Sequence, residues 1–402
     1  MIRQGRSGQI VTVAGTGEPG YGGDGQLGTA AALNEPKNVC FDAEGNLLIV
    51  DSENHVIRRL MHASGVIETV AGCVGTQRSG EEMLKVPIPN HHVEKEADPL
   101  ADVEDMPGRA YSQTPDLSGT VRYIVGQGIG KDRFAGDGGL ATSALLNFPS
   151  AVAVDSSGTI FIADTWNHRV RRVDSKTGII QTVAGTGQSK WTGDGGQGDS
   201  SSLNEPVALV LDGTRLYIAD QSNNRIRMLD LESGVITTVA GTGDSGYNGD
   251  GMPAVESALA GPSGLALDQE GNLYIADTFN GRIRMIDRCT GFISTVAGNG
   301  AEFRYERGVN EPSHALARPY GIAMTPQGHV LITDSDHHLI RMWDAMKKEM
   351  TLVAGNGQST WAGDGGPASD SSLNFPFGVA VDWLGNIAIA DTFNHRIRYI
   401  TV

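Results

Sequence analysis

Short apolar runs of four to six residues, rich in Val and Ile, alternate along this chain with Asp, Ser and Gly turns. Such runs predict short antiparallel strands. In one stretch Val152-Ala-Val, Ile160-Phe-Ile-Ala, Arg169-Val-Arg-Arg-Val and Ile179-Ile-Gln-Thr-Val-Ala follow one another as four strands, a to d. The a-to-b turn there, Ser157-Gly158, has chemistry suited to positive φ. The same unit begins at Pro36, Pro149, Pro206, Pro262, Pro319 and Pro376, at spacings of 113, 57, 56, 57 and 57 residues. Four strands per repeat make one propeller blade, so the expectation is an all-β, six-bladed β-propeller of four-stranded antiparallel blades.

The two ends of the repeat array complement each other. The last unit stops after strand c at Ile400-Thr-Val402, whereas Gln9-Ile-Val-Thr-Val-Ala-Gly15 is a strand d with no a, b or c before it. Residues 9–15 should therefore complete the C-terminal blade, close the ring and leave no open edge. The first spacing equals two periods. Residues 73–120, rich in proline and acidic side chains, lack the Gly-Asn-Leu-Tyr-Ile-Ala-Asp pattern seen at 271–277. They read as a degenerate repeat that forms a long insertion, a lid, within a single domain spanning 1–402.

An Asn-His pair stands between strands b and c at Asn54-His55, Asn167-His168 and Asn394-His395. It weakens to Asn223-Asn224, Asn280-Gly281 and His337-His338. These units resemble NHL repeats, in particular the variant with long Gly-Asp-Gly connections found in teneurins and bacterial surface proteins. The resemblance implies a six-bladed propeller. Its commonest use is as a binding or interaction module.

Composition narrows the partners. The formal net charge of -16 repels phosphate backbones and argues against nucleic acid. No run of about 18 apolar residues is present to span a membrane. The opening Met1-Ile-Arg-Gln-Gly-Arg-Ser-Gly lacks the apolar core of a secretory signal, so a cytoplasmic protein is expected, or a secreted one if a leader was removed. Cys40, Cys73 and Cys289 are an odd number at unrelated repeat positions and do not make a disulfide framework.

Candidate chemistry falls on the face that carries the d-to-a connections and b-to-c turns. Asp51, Asp164, Asp220, Asp277, Asp334 and Asp391 each precede an Arg by seven residues, and a feature repeated six times around a ring is more economically scaffold than site. Tyr21, Phe134, Trp191, Tyr247 and Trp361 each precede a Gly-Asp-Gly; these read as Asx turns whose ring covers the next blade, with calcium binding as the alternative. Asymmetry is more informative. The residues before the repeat prolines vary as Glu35, Phe148, Glu205, Gly261, Arg318 and Phe375. The fifth unit replaces Gly-Asp-Gly with a segment containing His314 and continues with Asp336-His337-His338, and the insertion contributes His91, His92 and Glu94. Glu35, Glu205, Arg318, His314, Asp336, His337, His338, His91, His92 and Trp166 are accordingly the candidate ligand-binding residues at the channel mouth.

Two functions stay open at this point. One is a module, able to act as a monomer, that binds a small polar molecule or a protein partner. The other is a metal-dependent lyase or hydrolase acting on a small polar substrate at the same mouth. For the second, His91, His92, Glu94, His314 and His337 are the candidate ligands for zinc or calcium. Known propeller enzymes place metal ligands at the start of strand a, where this chain has only Asn38, Ala151, Ala208, Gly264, Gly321 and Gly378.

Overall fold

The computed structural model describes residues 8–74, 134–300 and 315–402. These residues form six antiparallel sheets, each ordered a-b-c-d from the axis outward. In chain order they are blade 1 (36–71), blade 2 (151–184), blade 3 (206–240), blade 4 (262–297), blade 5 (319–354) and blade 6 (376–400). Blade 6 takes its outer strand from Ile10–Ala14, which pairs antiparallel with Arg396–Ile400 in the register Ile10 to Ile400 and Thr12 to Arg398. The N-terminal strand thus closes the ring as its repeat position requires.

The core is a series of six apolar seams between neighbouring blades. Leu47, Ile49 and Ile67 of blade 1 meet Ala388, Ile397 and Tyr399 of blade 6. Equivalent seams join every other pair in turn, so alternate residues of each buried strand face the blade before and the blade after. Near the axis the a strands crowd together. A Cβ on Gly378 would lie 2.7 Å from the Asn38 Cα, and one on Gly321 would lie 2.3 Å from the Phe377 carbonyl oxygen. Gly264, Gly321 and Gly378 therefore serve packing, since a Cβ at each would meet the backbone of the next blade.

The d-to-a connections depart from expectation. They do not stay over the channel mouth. After leaving strand d of one blade, each Gly-Asp-Gly segment descends the outer wall and pairs with strand d of the next. Gly25 donates to the Ile67 carbonyl at 2.8 Å, Ile67 donates back to Gln26 at 2.9 Å, and Gly28 reaches Gly65 in the c-to-d turn at 2.8 Å. The pattern recurs from Gly138 to Ile180, Gly195 to Ile236, Gly251 to Ile293 and Gly365 to Ile10. Each described Gly-Asp-Gly connection is thus a fifth, capping edge that leaves the strand d it covers unavailable for pairing with another chain. A tight αL-compatible turn and a carboxylate are what this descent needs, which explains Gly-Asp-Gly. Among the described residues no helix is long and apolar enough to cross a membrane.

Candidate functional site

The repeated charges are consumed by the scaffold. Every Asp at the end of strand b is fully buried. One carboxylate oxygen accepts the backbone N–H three residues into the approach to strand a, as in Asn34 to Asp51 at 2.7 Å and Ala260 to Asp277 at 2.8 Å. The other oxygen accepts the Asn Nδ2 of the b-to-c turn, 2.8 Å for Asn54 to Asp51. It also faces the strand c Arg, at 3.2 Å in Asp164–Arg171. The far side of that buried guanidinium holds the Asp of the descending loop: Arg58–Asp24 and Arg171–Asp137 at 2.6 Å, Arg227–Asp194 and Arg398–Asp364 at 2.7 Å, Arg284–Asp250 at 3.1 Å. The loop aromatic lies over the first Arg of strand c, with Trp191 4.0 Å from Arg225 and Trp361 4.2 Å from Arg396. An Asp-Arg-Asp clamp therefore fastens each described Gly-Asp-Gly loop to its blade, and the loop carboxylates are already engaged.

The histidine of each Asn-His pair links blades. It ends a one-turn 3-10 segment in the left-handed region, with φ 59° at His55 and 52° at His395. Its Nδ1 accepts the N–H of the residue before proline in the next blade: Phe148 on His55, Glu205 on His168 and Glu35 on His395 at 3.1 Å, and Phe375 on His338 at 3.2 Å. Where blade 3 has Asn224 instead, its Oδ1 accepts from Gly261 at 2.9 Å. An accepting Nδ1 requires a neutral ring. Burial holds His168 and His395 below the usual value and pushes His338 down to about 4. The unfolded chain then takes up protons first, so the stability these links supply is complete above the ordinary histidine pKa of about 6.5 and is lost as pH falls toward about 4. The triple variant H168N/H338N/H395N is expected to flatten the fall in melting temperature across that window, measured against wild type in the same buffers. An unaltered slope would refute the role given to these rings.

The pre-proline residues share an uncommon conformation, with or without such a link, since Arg318 follows a blade whose turn ends at Gly281. Glu35, Phe148, Glu205, Arg318 and Phe375 have φ between 45° and 55°, a region that costs a non-glycine residue about 1 kcal/mol or more and that a following proline disfavours further. This backbone places each side chain on the rim, beside the middle residue of its own blade's b-to-c turn. The rim is consequently six pairs, and those of blades 2 to 6 are matched. Phe148 lies 4.5 Å from Trp166, ring to ring, in blade 2. Glu205 accepts the Ser222 hydroxyl in blade 3. In blade 4 the Phe279 ring fills the space that a Cβ on Gly261 would take. Arg318 Nε donates to Asp336 at 2.6 Å in blade 5, and Phe375 meets Phe393 at 5.3 Å in blade 6.

Blade 1 breaks this rule of complementarity. Its pair is Glu35 and Glu53, two carboxylates. Burial pushes Glu35 up to about 7, with the charge of Glu53 adding to the rise and Lys37 opposing it. Burial also raises Glu53, again against Lys37. Lys37 follows the proline of strand a and is only 5% exposed. Its Nζ stands 5.8 Å from the centre of the Phe148 ring. Among the described residues none of these three side chains has a hydrogen-bond or ion-pair partner. At the corresponding position of blade 5, Tyr320 stacks on Phe377 at 4.6 Å and its phenol, pushed up to about 12 by burial, meets Gln221 of blade 3. Gln221 also donates to Ser263 of the intervening blade 4 at 2.7 Å.

The expected site residues divide accordingly. Glu35, Glu205, Arg318, Asp336 and Trp166 all lie on the rim. His337 does not: it occupies the Asn position of its turn, with Nδ1 2.9 Å from buried Asp334, so it belongs to the blade interior. His338 is an inter-blade link. His91, His92, Glu94 and His314, and nearly all of the 73–120 insertion, lie outside the described residues. Among the described residues no three His, Cys, Asp or Glu side chains converge as a metal site. Glu53 and Lys37 went unnoticed in the sequence; superposing the six b-to-c turns would have exposed the first, since Glu53 is aligned with Trp166, Ser222, Phe279, Asp336 and Phe393.

Comparison with known proteins agrees with this architecture. The family model for the NHL repeat matches residues 146–173, 316–342 and 373–398, and that for the teneurin NHL domain matches 240–307. The chain is 30% identical over 268 residues to Protein SUPPRESSOR OF QUENCHING 1, chloroplastic, of Arabidopsis thaliana, covering 64% of this chain and 25% of that protein. It is 27% identical over 314 residues to NHL repeat-containing protein 2 of Bos taurus, covering 70% and 42%. It therefore spans between a quarter and about two fifths of these curated relatives. A structural genomics protein of unknown function from Bacteroides thetaiotaomicron superposes with a TM-score of 0.60 at 15% identity, over 97% of this chain and 75% of that one, a likeness of fold. The repeats, their Asp-Arg and Asn-His linkages and these matches together make the chain a member of the NHL-repeat β-propellers.

Proposed function

We propose that this propeller is a binding module whose small polar ligand seats at the channel mouth, on the blade 1 sector of the rim. The observation that supports it is the pairing of Glu35 with Glu53 above Lys37. In the other five blades the rim pair is complementary within itself, so its polar groups are spoken for. In blade 1 like charges are set together in a largely buried place, a costly arrangement that a bound molecule relieves. Half-buried aromatic rings on both neighbouring blades supply apolar walls, in keeping with small-molecule sites that combine such walls with a few placed polar groups.

A thermal-shift screen of the full chain against small polar metabolites tests this reading. Compounds that raise the melting temperature of wild type are expected to lose that effect in Glu53→Gln while keeping it in Glu44→Gln, on the opposite face. Equal responses from both variants would remove the ligand from the mouth.

A further inference from the structure

We propose that the outer edge of blade 5, strand Glu349–Ala354, takes an extended segment of another protein as an added β-strand, in the place that a Gly-Asp-Gly loop holds on the other blades. The described loops show how such an edge is covered. Each pairs with strand d at one register position, occupied by Ile67 opposite Leu60 in blade 1 and by Ile236 opposite Leu229 in blade 3. Met350, opposite Trp343, holds that position in blade 5. Among the described residues no backbone hydrogen bond reaches its outward N–H and carbonyl.

The side chains that fasten a loop are also replaced. Two residues further along strand d, opposite the buried arginine, the other five blades carry threonine. Its hydroxyl holds the loop in four of them. Thr182 donates to Asp137 at 2.7 Å and Thr295 to Asp250 at 3.0 Å, Trp191 Nε1 donates to Thr238 at 3.4 Å, and the Tyr21 hydroxyl shares a hydrogen bond with Thr69 at 3.0 Å. Blade 5 has Leu352 there, which neither donates nor accepts and is 47% exposed. The sequence changes in step on the loop side. Residues 301–318 align with 244–261 without a gap, and Arg307 stands where Asp250 does. A loop carboxylate and a wall hydroxyl have thus been exchanged together, for an arginine and a leucine.

An open edge with an apolar side chain upon it is a template for strand addition. The neighbouring turn specifies the added segment further. In blade 1 the loop passes from Asp24, at the buried arginine, to Gly28, whose N–H reaches Gly65 in the c-to-d turn at 2.8 Å. The matching turn of blade 5 is Met346-Lys347-Lys348, with the Lys347 side chain 70% exposed. A fitting segment therefore sets an apolar residue on Leu352 and an acidic residue four places later beside these lysines. A second copy of this chain fits less well. Two chains of net charge -16 repel each other, and Lys348, at φ 56°, turns the backbone two residues before Met350 and shortens any run the two edges share.

Isothermal titration calorimetry on the full chain tests this with a synthetic peptide of residues 190–203, the blade 3 loop, carrying Asp194→Leu and Gly198→Glu. It is expected to bind at least tenfold more tightly than the same peptide with Asp194 retained. Leu352→Thr restores the residue of the other blades, so it should leave the melting temperature unaltered and remove that preference. N-methylation of the peptide at Gly195, whose counterpart in the chain donates to the Ile236 carbonyl at 2.8 Å, should abolish binding with no change to the protein. A preference that withstands Leu352→Thr, binding that withstands the N-methyl group, or no binding at millimolar peptide would each overturn the proposal. Self-association in sedimentation that is lost in Leu352→Asp would overturn it in favour of a second copy.

Discussion

Deleting residues 1–15 is expected to unfold the ring as a whole, with no stable five-bladed remainder. The strand Ile10–Ala14 contributes Ile10 and Ala14 at full burial and Val13 at 6% exposure to the seams on either side of blade 6. Burying an Ile or Val is worth about 1.5–3 kcal/mol each, and the ladder hydrogen bonds about 1 kcal/mol each. The loss is therefore on the order of 5 kcal/mol or more, comparable to the entire stability of an ordinary domain. Without the strand, Arg396–Ile400 becomes an open edge and the Gly365 loop loses its partner Ile10. Denaturant unfolding measures this directly. A permutant that carries residues 8–17 after Val402, joined by a turn copied from Asp174-Ser-Lys-Thr-Gly178, is expected to recover the wild-type midpoint. A truncated chain that already shows that midpoint would contradict closure by this strand.

The second large effect is Arg227→Met. This guanidinium is fully buried between Asp220, itself fully buried at 3.4 Å, and Asp194, which is 36% exposed at 2.7 Å. Removing it leaves Asp220 charged in the interior with only the Asn204 N–H and the Asn223 amide as donors. Breaking a buried pair in this way costs about 3–5 kcal/mol. Asp194→Asn touches the same arginine from the solvent side, and there screening keeps the loss below about 1 kcal/mol. The shorter of the two ion pairs is thus the weaker contributor, and a double-mutant comparison by denaturation would show it. Similar losses from both substitutions would mean that the clamp works through the loop and not through the buried aspartate.

Much of this is legible in the amino-acid sequence. Strand boundaries followed from apolar runs of a few residues, clearest in the b strands that are buried on both faces, and ring closure followed from a strand d placed before the first strand a. The repeated Asp and Arg positions are scaffold, as their sixfold recurrence implies, since ring symmetry multiplies a structural contact and a site has no reason to repeat. The path of the Gly-Asp-Gly loops was not legible. It depends on Asp24 meeting Arg58 across 34 residues, and nothing in the local spacing announces such a contact. Lys37 and Glu53 escaped notice for a related reason: each sits in an ordinary strand or turn motif, and only the rim geometry sets them beside Glu35. His337 was overvalued because a histidine next to a histidine looks like chemistry, whereas the turn accepts it as a substitute for asparagine toward Asp334.

The left-handed rim backbone makes the mouth a set of six interchangeable sockets. The same left-handed backbone precedes the strand a proline in every blade, even where the neighbour's turn ends in Gly281 and offers no side-chain acceptor, so it is indifferent to which side chain projects from it. Acid, base, aromatic ring and no side chain at all are accommodated at equivalent places on one ring. Recognition can then be rewritten two residues at a time, by exchanging the pre-proline residue together with the middle of its b-to-c turn. Moving the blade 1 pair to blade 6 as F375E/F393E would relocate the acidic socket by one sixth of a turn on an unaltered scaffold. A surface with that property can diversify its ligands far faster than its fold, which is how repeats this alike can end in a mouth this irregular.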